Sequence, residues 1–255
     1  MTGMNSNITK GGAMLDDTRR FVALWRTEQT PDENLSWFME SNPLGLPSLA
    51  RAADVAKRIL RPRFVDPGPE IIPALRNLSQ SPRAFSDACY FETSRDDSLL
   101  AMFAERAIYN WYTEGRLGVD AALADMWLSR RAEEQALPQW SDIRRRKIAR
   151  GLLAALRDFG RLRGAKGSPN KQIVGPGISD GGFAYVAYRL HQSGVSSRGL
   201  LATPVWKRWL LDEPRIDQHM HRLAAQGLLY YARAGSSLRI DWRTEGLVEV
   251  ARAVA

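Results

Sequence analysis

Cysteine occurs once in this 255-residue chain, at position 89, and histidine three times, at 191, 219 and 221. A single thiol excludes an intrachain disulfide and every Cys-rich zinc module, and it fits a reducing cytoplasm. The imidazoles do not assemble a metal site either. His219 and His221 stand about 200° apart around a helix axis, so they cannot act as an i, i+4 ligand pair. His191 is isolated in the sequence. The acid pairs Asp96-Asp97 and Glu133-Glu134 are immediate neighbours and diverge on a helix. One Cys and three scattered His give neither a Ser-His-Asp nor a Cys-His arrangement. The glycine-rich stretch GPGISDGG (175–182) lacks the GxxxxGK[ST] of a phosphate loop and carries Asp180 where an anion would be repelled, so it reads as a linker. These absences describe a non-enzyme with no cofactor and no metal.

Long apolar runs are also missing. None approaches the roughly 20 residues that cross a bilayer. The opening stretch MTGMNSNITKGGAML lacks the apolar core and cleavage site of a secretion signal, and residues 1–15 read as a flexible tail. The expectation is a soluble, cytoplasmic protein with no membrane partner.

What the chain has in excess is arginine, and it is concentrated. Between residues 141 and 171 stand Arg144, Arg145, Arg146, Lys147, Arg150, Arg157, Arg161, Arg163, Lys166 and Lys171, opposed by Asp142 and Asp158 alone. Ten bases less two acids is a surplus of eight, the formal net charge of the whole protein, so the rest of the chain sums to zero. Arginine offers planar bidentate donors to phosphate and carboxylate, which points to an anionic partner. A GC-rich genome would also favour Arg over Lys.

The pattern elsewhere is helical. Phe21, Leu24 and Trp25 follow the acids Asp16 and Asp17 at helical spacing, and a short helix is expected over 35–40. Ser48 is placed to cap a helix running to about Leu60, with Arg58, Arg61 and Arg63 near its C-terminus as dipole partners. Prolines 62, 67, 69 and 73 mark an irregular connection. Ser81-Pro82 opens a helix with Phe85, Cys89 and Tyr90, and Leu99, Leu100, Phe103, Ala107 and Trp111 keep register on the next. A further helix is expected to bury Val119, Leu123, Met126 and Trp127.

Ser141 is the expected N-cap of the basic helix. Its phasing puts Ile148, Leu152, Leu156 and Phe159 on one side and Arg146, Arg150 and Arg157 on the other, flanked by Arg144 and Lys147. Residues 162–174 then suit a small hairpin carrying Arg163, Lys166 and Lys171. Helix followed by basic hairpin is the pattern of a winged helix, in which the helix enters a groove and the wing touches phosphates. A similar pattern recurs near the C-terminus. Ile216, Met220, Leu223 and Ala224 share one helix face, Arg215, Gln218, His219 and Arg222 the other, and an alternating hairpin turns at Gly235-Ser236. This second unit suits a winged helix and equally a solvated helix face beside a structural hairpin. The chain is therefore expected to be mainly α, a multi-helix protein with helix-turn-helix or winged-helix-like units and one or two small β-hairpins. Its divisions are expected at 1–15 (tail), 16–117 (helical region), 118–178 (first unit) and 179–255 (second unit).

The runs WSDIRRRKIARGLLAALRDFGRLRG, FAYVAYRLH, PVWKRWLL and LLYYARAGSSLRI, with KGGAML, DDTRRFVALW, SNPLGLPS and RILRPRF before them, resemble the BrxA family of bacterial BREX phage-defence systems. The resemblance covers roughly residues 10–242 and rests on the order and spacing of these pieces. It implies a mostly helical cytoplasmic protein that binds nucleic acid within a multi-protein antiviral system and has no catalytic site of its own. Members have been likened both to an RNA-binding antitermination factor and to helix-turn-helix DNA binders, and some relatives have been labelled inner-membrane proteins. The expected partner is duplex DNA, with other BREX proteins as further partners. RNA binding and an adaptor role, the basic helix docking on an acidic protein, are the alternatives.

Overall fold

A capping box starts one early helix and a π-widened turn rescues the next from its proline. In the computed structural model, which describes residues 7–235 and 237–255, α1 (Ile8–Gly11) and α2 (Leu15–Leu24) precede α3 (Pro31–Ser41). The Thr30 side chain accepts from Glu33 N while Glu33 Oε2 accepts from Thr30 N at 2.7 Å, and Pro31 follows at the first helical position. Ser48 caps α4 (Leu49–Val55) by accepting from Arg51 N at 3.1 Å, as its sequence position predicts. This helix does not stop before Pro62. It continues as a π-helix, Ala56–Val65, whose wider turn accommodates a residue that lacks an N–H and clashes with an α-helical carbonyl. Arg58 and Arg61 at this end pair with Asp54, Asp32 and Asp66, and Arg63 is buried. Then come α5 (Ile71–Leu78), α6 (Pro82–Asp96), α7 (Ser98–Met102) and α8 (Tyr109–Thr113), the last two joined by the π-helix Phe103–Ile108.

Residues 7–15 do not form the tail expected of them; residues 1–6 and Ser236, for which a hairpin turn is expected from the sequence, lie outside the described residues. Ile8 and Ala13 are buried, and Ile8 N donates to Asp97 Oδ2 at 2.8 Å. The few apolar side chains in this polar stretch suffice to anchor it.

The middle of the chain runs β1 (Gly118–Asp120), α9 (Ala121–Glu133), α10 (Asp142–Asp158), β2 (Leu162–Arg163) and β3 (Asn170–Ile173). The three strands form an antiparallel sheet in the order β1-β3-β2, with Val119 opposite Lys171 and Arg163 opposite Gln172. Val119 therefore lies in a strand rather than in the helix expected for it, and Asp120 caps α9 by accepting from Leu123 N at 2.7 Å.

The last third contains α11 (Asp180–Gln192), α12 (Ser197–Ala202), a 3₁₀ turn Pro204–Trp209, α13 (Glu213–Ala225), the hairpin β4 (Leu229–Ala234) and β5 (Ser237–Trp242), and α14 (Leu247–Ala253). Buried carboxylates tie it to α6. Asp87 accepts from Ser179 N at 2.9 Å, Ser179 Oγ at 2.8 Å and Trp209 Nε1 at 2.9 Å, with Arg161 at 3.4 Å. Glu92 accepts from the Tyr185 hydroxyl and from Arg189 Nε, both at 2.9 Å. The glycines at the end of GPGISDGG serve this junction and are not all linker. A Cβ on Gly182 would come within 2.4 Å of Asp87 Cβ, so only glycine lets α11 start so close to α6.

Candidate nucleic-acid interface

Two helices and a short wing carry the cations. The α10 helix owes its orientation to an apolar back, on which Ile148, Leu152, Leu156 and Phe159 are buried as their spacing predicts. Ser141 occupies its N-cap position, although its side chain makes no capping bond. On one side the N-terminal segment crosses close by: a Cβ on Gly151 would be 3.4 Å from Thr9. The first turn is fixed to α9 by Arg145, whose Nε and Nη2 grip Asp125 at 2.8 and 3.2 Å while Nη1 donates to Asp142 at 2.9 Å. These carboxylates raise the Arg145 pKa, the Asp125 hydrogen bond most of all. Arg145 is thus a clamp, already neutralised.

Six cations of the basic segment remain uncommitted. Among the described residues Arg144, Arg146, Lys147, Arg150, Arg163 and Lys166 are exposed and enter no ion pair. Two adjoining grooves hold several of them. The first, about 650 Å³, lies between α9 and α10 and is lined by Ala121, Ala122, Asp125, Met126, Ile143, Arg146 and Arg150. The second, about 540 Å³, runs on from Ala121 and Arg150 past Ala154 and Arg157 to the wing residues Lys166 to Pro169. Arg150 lines both, so the unpaired cations Arg146, Arg150 and Lys166 follow one path.

Three residues expected on exposed binding faces are placed otherwise. Arg157 is largely covered and donates from Nε to Asp158 at 2.8 Å. Lys171 is buried, because alternation in β3 turns it inward with Ile173; its ammonium donates to the carbonyls of Ser168 at 3.0 Å and Ala165 at 3.4 Å and so shapes the wing from inside. His219 is buried too, stacked on Phe183 with ring centroids 4.5 Å apart and Nδ1 2.9 Å from Asp180 Oδ1. Burial, and then the neighbouring Arg222, push its pKa down, and the hydrogen bond to Asp180 offsets only part of this.

The arginines of α13 and of the β4–β5 hairpin are spent internally. Arg215 pairs with Asp212, and Arg222 Nε donates to Asp180 at 2.9 Å. Arg233 pairs with Glu213 and Asp217, and Arg239 with Asp241. Gln218 remains exposed. The Tyr231 hydroxyl donates to Asp217 and lowers its pKa, while Tyr230 faces outward under the guanidinium of Arg239. Sequence reasoning missed two members of the α9–α10 groove. Ile143 is 84% exposed and Met126 62% exposed, the latter instead of the core position expected for it, whereas Trp127 does pack, edge to face, on Phe103. Ile143 breaks the apolar phasing of its helix, which was the available signal; Met126 is in phase with Leu123 and Trp127 and gave none, because α9 buries Ala124, Leu128 and Ala132 instead.

A mainly helical protein with small antiparallel sheets and one uncompensated basic helix–wing surface is the class these features define. The BrxA family profile matches residues 4–187, and the chain belongs to the BrxA family. Its members are components of BREX phage-defence systems, which makes other defence proteins its natural partners. The matched region contains α9, α10 and the wing and ends within α11. No curated protein matches the chain. Among solved structures it is similar in fold to an uncharacterized protein from Magnetospirillum magneticum, with 15% identity, a TM-score of 0.59, and coverage of 81% of this chain and 98% of that one. No helix among the described residues is long and apolar enough to cross a membrane.

Proposed function

We propose that the protein is a non-enzymatic duplex-DNA-binding component of a BREX system, with α10 entering the major groove and the β2–β3 turn touching the backbone beside it. The observation that carries this reading is the set of six unpaired cations on α10 and the wing. Topology supports it. The succession strand, helix, helix, strand, wing, strand, with β3 between β1 and β2, is the arrangement of winged-helix modules, whose second helix reads the groove. The later helices α11 to α13 with the β4–β5 hairpin repeat the plan without free cations on α13, so the second unit is assigned no phosphate contacts.

If about five of the six cations meet phosphates, log K falls with log salt at a slope near −4.5, and affinity drops several hundred-fold between 50 and 200 mM salt. Fluorescence anisotropy with a labelled duplex, competed by single-stranded DNA and by RNA, tests this. Absent or salt-insensitive binding to the duplex refutes it. RNA is the weaker candidate because base stacking needs exposed aromatics, and Tyr230, at 46%, is the one strongly exposed aromatic among the described residues. The adaptor reading draws on the apolar groove of Met126 and Ile143. Recovery with a defence partner after nuclease treatment, together with no affinity for duplex, would favour it.

A further inference from the structure

We propose that Ile143 and Met126 read the 5-methyl group of thymine in the major groove; this rests on the duplex-DNA reading above. Single exposed apolar side chains are ordinary. Here two, 84% and 62% exposed, come from different helices and line one groove with Ala121 and Ala122. Ile143 is the second residue of α10, and the N-terminal residues of a recognition helix are those that reach base edges. The Arg145–Asp125 clamp holds the two helices together at this point and therefore fixes the separation of the pair.

The acid of this turn is already engaged. Asp142, the residue that would accept from cytosine N4, is held by Arg145 Nη1 at 2.9 Å. Arg146 and Arg150 line the same groove, and Arg144 and Lys147 lie on the same stretch of α10; all four are exposed and without ion pairs among the described residues. An apolar spot framed by unpaired cations complements a polyanion that presents one apolar group between its phosphates. In the major groove that group is the thymine methyl. An acidic protein segment is the other conceivable occupant; the surrounding charge, unrelieved by any free acid on α10's exposed stripe, favours the denser phosphate array.

The test compares an alternating A·T duplex of about 24 base pairs with its counterpart carrying uracil for every thymine, which removes the methyl groups and no hydrogen-bonding atom. By anisotropy the wild-type protein is expected to bind the thymine duplex about four-fold more tightly for each methyl contacted. I143S and M126S should each reduce the preference, and the double variant should bring the two duplexes to parity with an unchanged salt slope. Both side chains are exposed, and thermal melting checks that the variants fold. Equal, salt-sensitive binding of both duplexes by the wild type overturns methyl readout, leaves the duplex-DNA reading standing and leaves the groove to a protein partner. A thymine preference that survives undiminished in the double variant also overturns it. Failure to bind either duplex at low salt removes both readings together.

Discussion

Replacing Arg146, Arg150 and Lys166 together by glutamine removes three of the six uncommitted cations while leaving every ion pair in the protein intact. Each phosphate contact contributes about −0.9 to the slope of log K against log salt, so a slope near −4.5 should fall to about −1.8. At 0.1 M salt each lost contact costs about eight-fold in affinity, and the three together about 500-fold. Gln and Arg have similar helix propensities, and exposed residues without hydrogen bonds usually change stability by within about 0.5 kcal/mol, so the fold should be unaffected. The control replaces Arg157, Arg222 and Arg233, which are already paired with Asp158, Asp180 and Glu213. It should leave the slope within about 0.5 of wild type. Anisotropy titrations at four salt concentrations measure both slopes. An unchanged slope in the first variant, or an equal loss in the control, refutes the assignment of phosphate contacts to the unpaired cations.

Other consequences concern the framework. R145A should lower the melting temperature by about 2–4 °C, the effect of ~1 kcal/mol in a chain of this size, and a double-mutant cycle with D125A should show coupling; strict additivity would mean that the clamp contributes nothing. G182A drives a Cβ into Asp87 and should cost about 3 kcal/mol or more, whereas G175A, with open space around it, should melt like the wild type. His219 has its folded-state pKa pushed below the ordinary value, so between the two values the unfolded chain binds a proton that the native state refuses. The stabilisation from keeping it neutral is present above pH ~6.5 and is lost as pH falls from there toward the folded pKa. H219F should therefore lose less melting temperature than the wild type between pH 7.5 and 5.5; equal losses would show that other groups dominate.

The parts legible in the sequence are those with a local period. The buried row Ile148, Leu152, Leu156 and Phe159 follows from 3.6-residue spacing, and the Ser48 cap from its place before an apolar run. Long-range pairing was not legible. The β1 strand has three residues and finds its partner about fifty residues later, so nothing local marks it. Whether a cation is free depends on acids from other segments: Arg146 and Arg157 share a helix face in the sequence, yet one is unpaired and the other is held by Asp158. For His219 the spacing did contain the answer. It lies three residues after Ile216 and four before Leu223, both buried, and its polar class masked a position on the apolar side. Pro62 misled for the opposite reason, since a π-helical turn accepts what an α-helix rejects.

Lysine is scarce in this chain, which makes the location of bound DNA directly measurable. Its positions are 10, 57, 147, 166, 171 and 207. Formaldehyde cross-linking of the full chain to duplex DNA, followed by nuclease digestion and mass spectrometry, reports which ammonium groups lie against the nucleic acid. Adducts at Lys147 on α10 and Lys166 on the wing, with Lys57 and Lys207 unmodified, are the predicted result. Adducts concentrated at Lys57 or Lys207, or none at Lys147 and Lys166 under conditions where the duplex is bound, would contradict the claim that the α10–wing surface is the one that holds DNA.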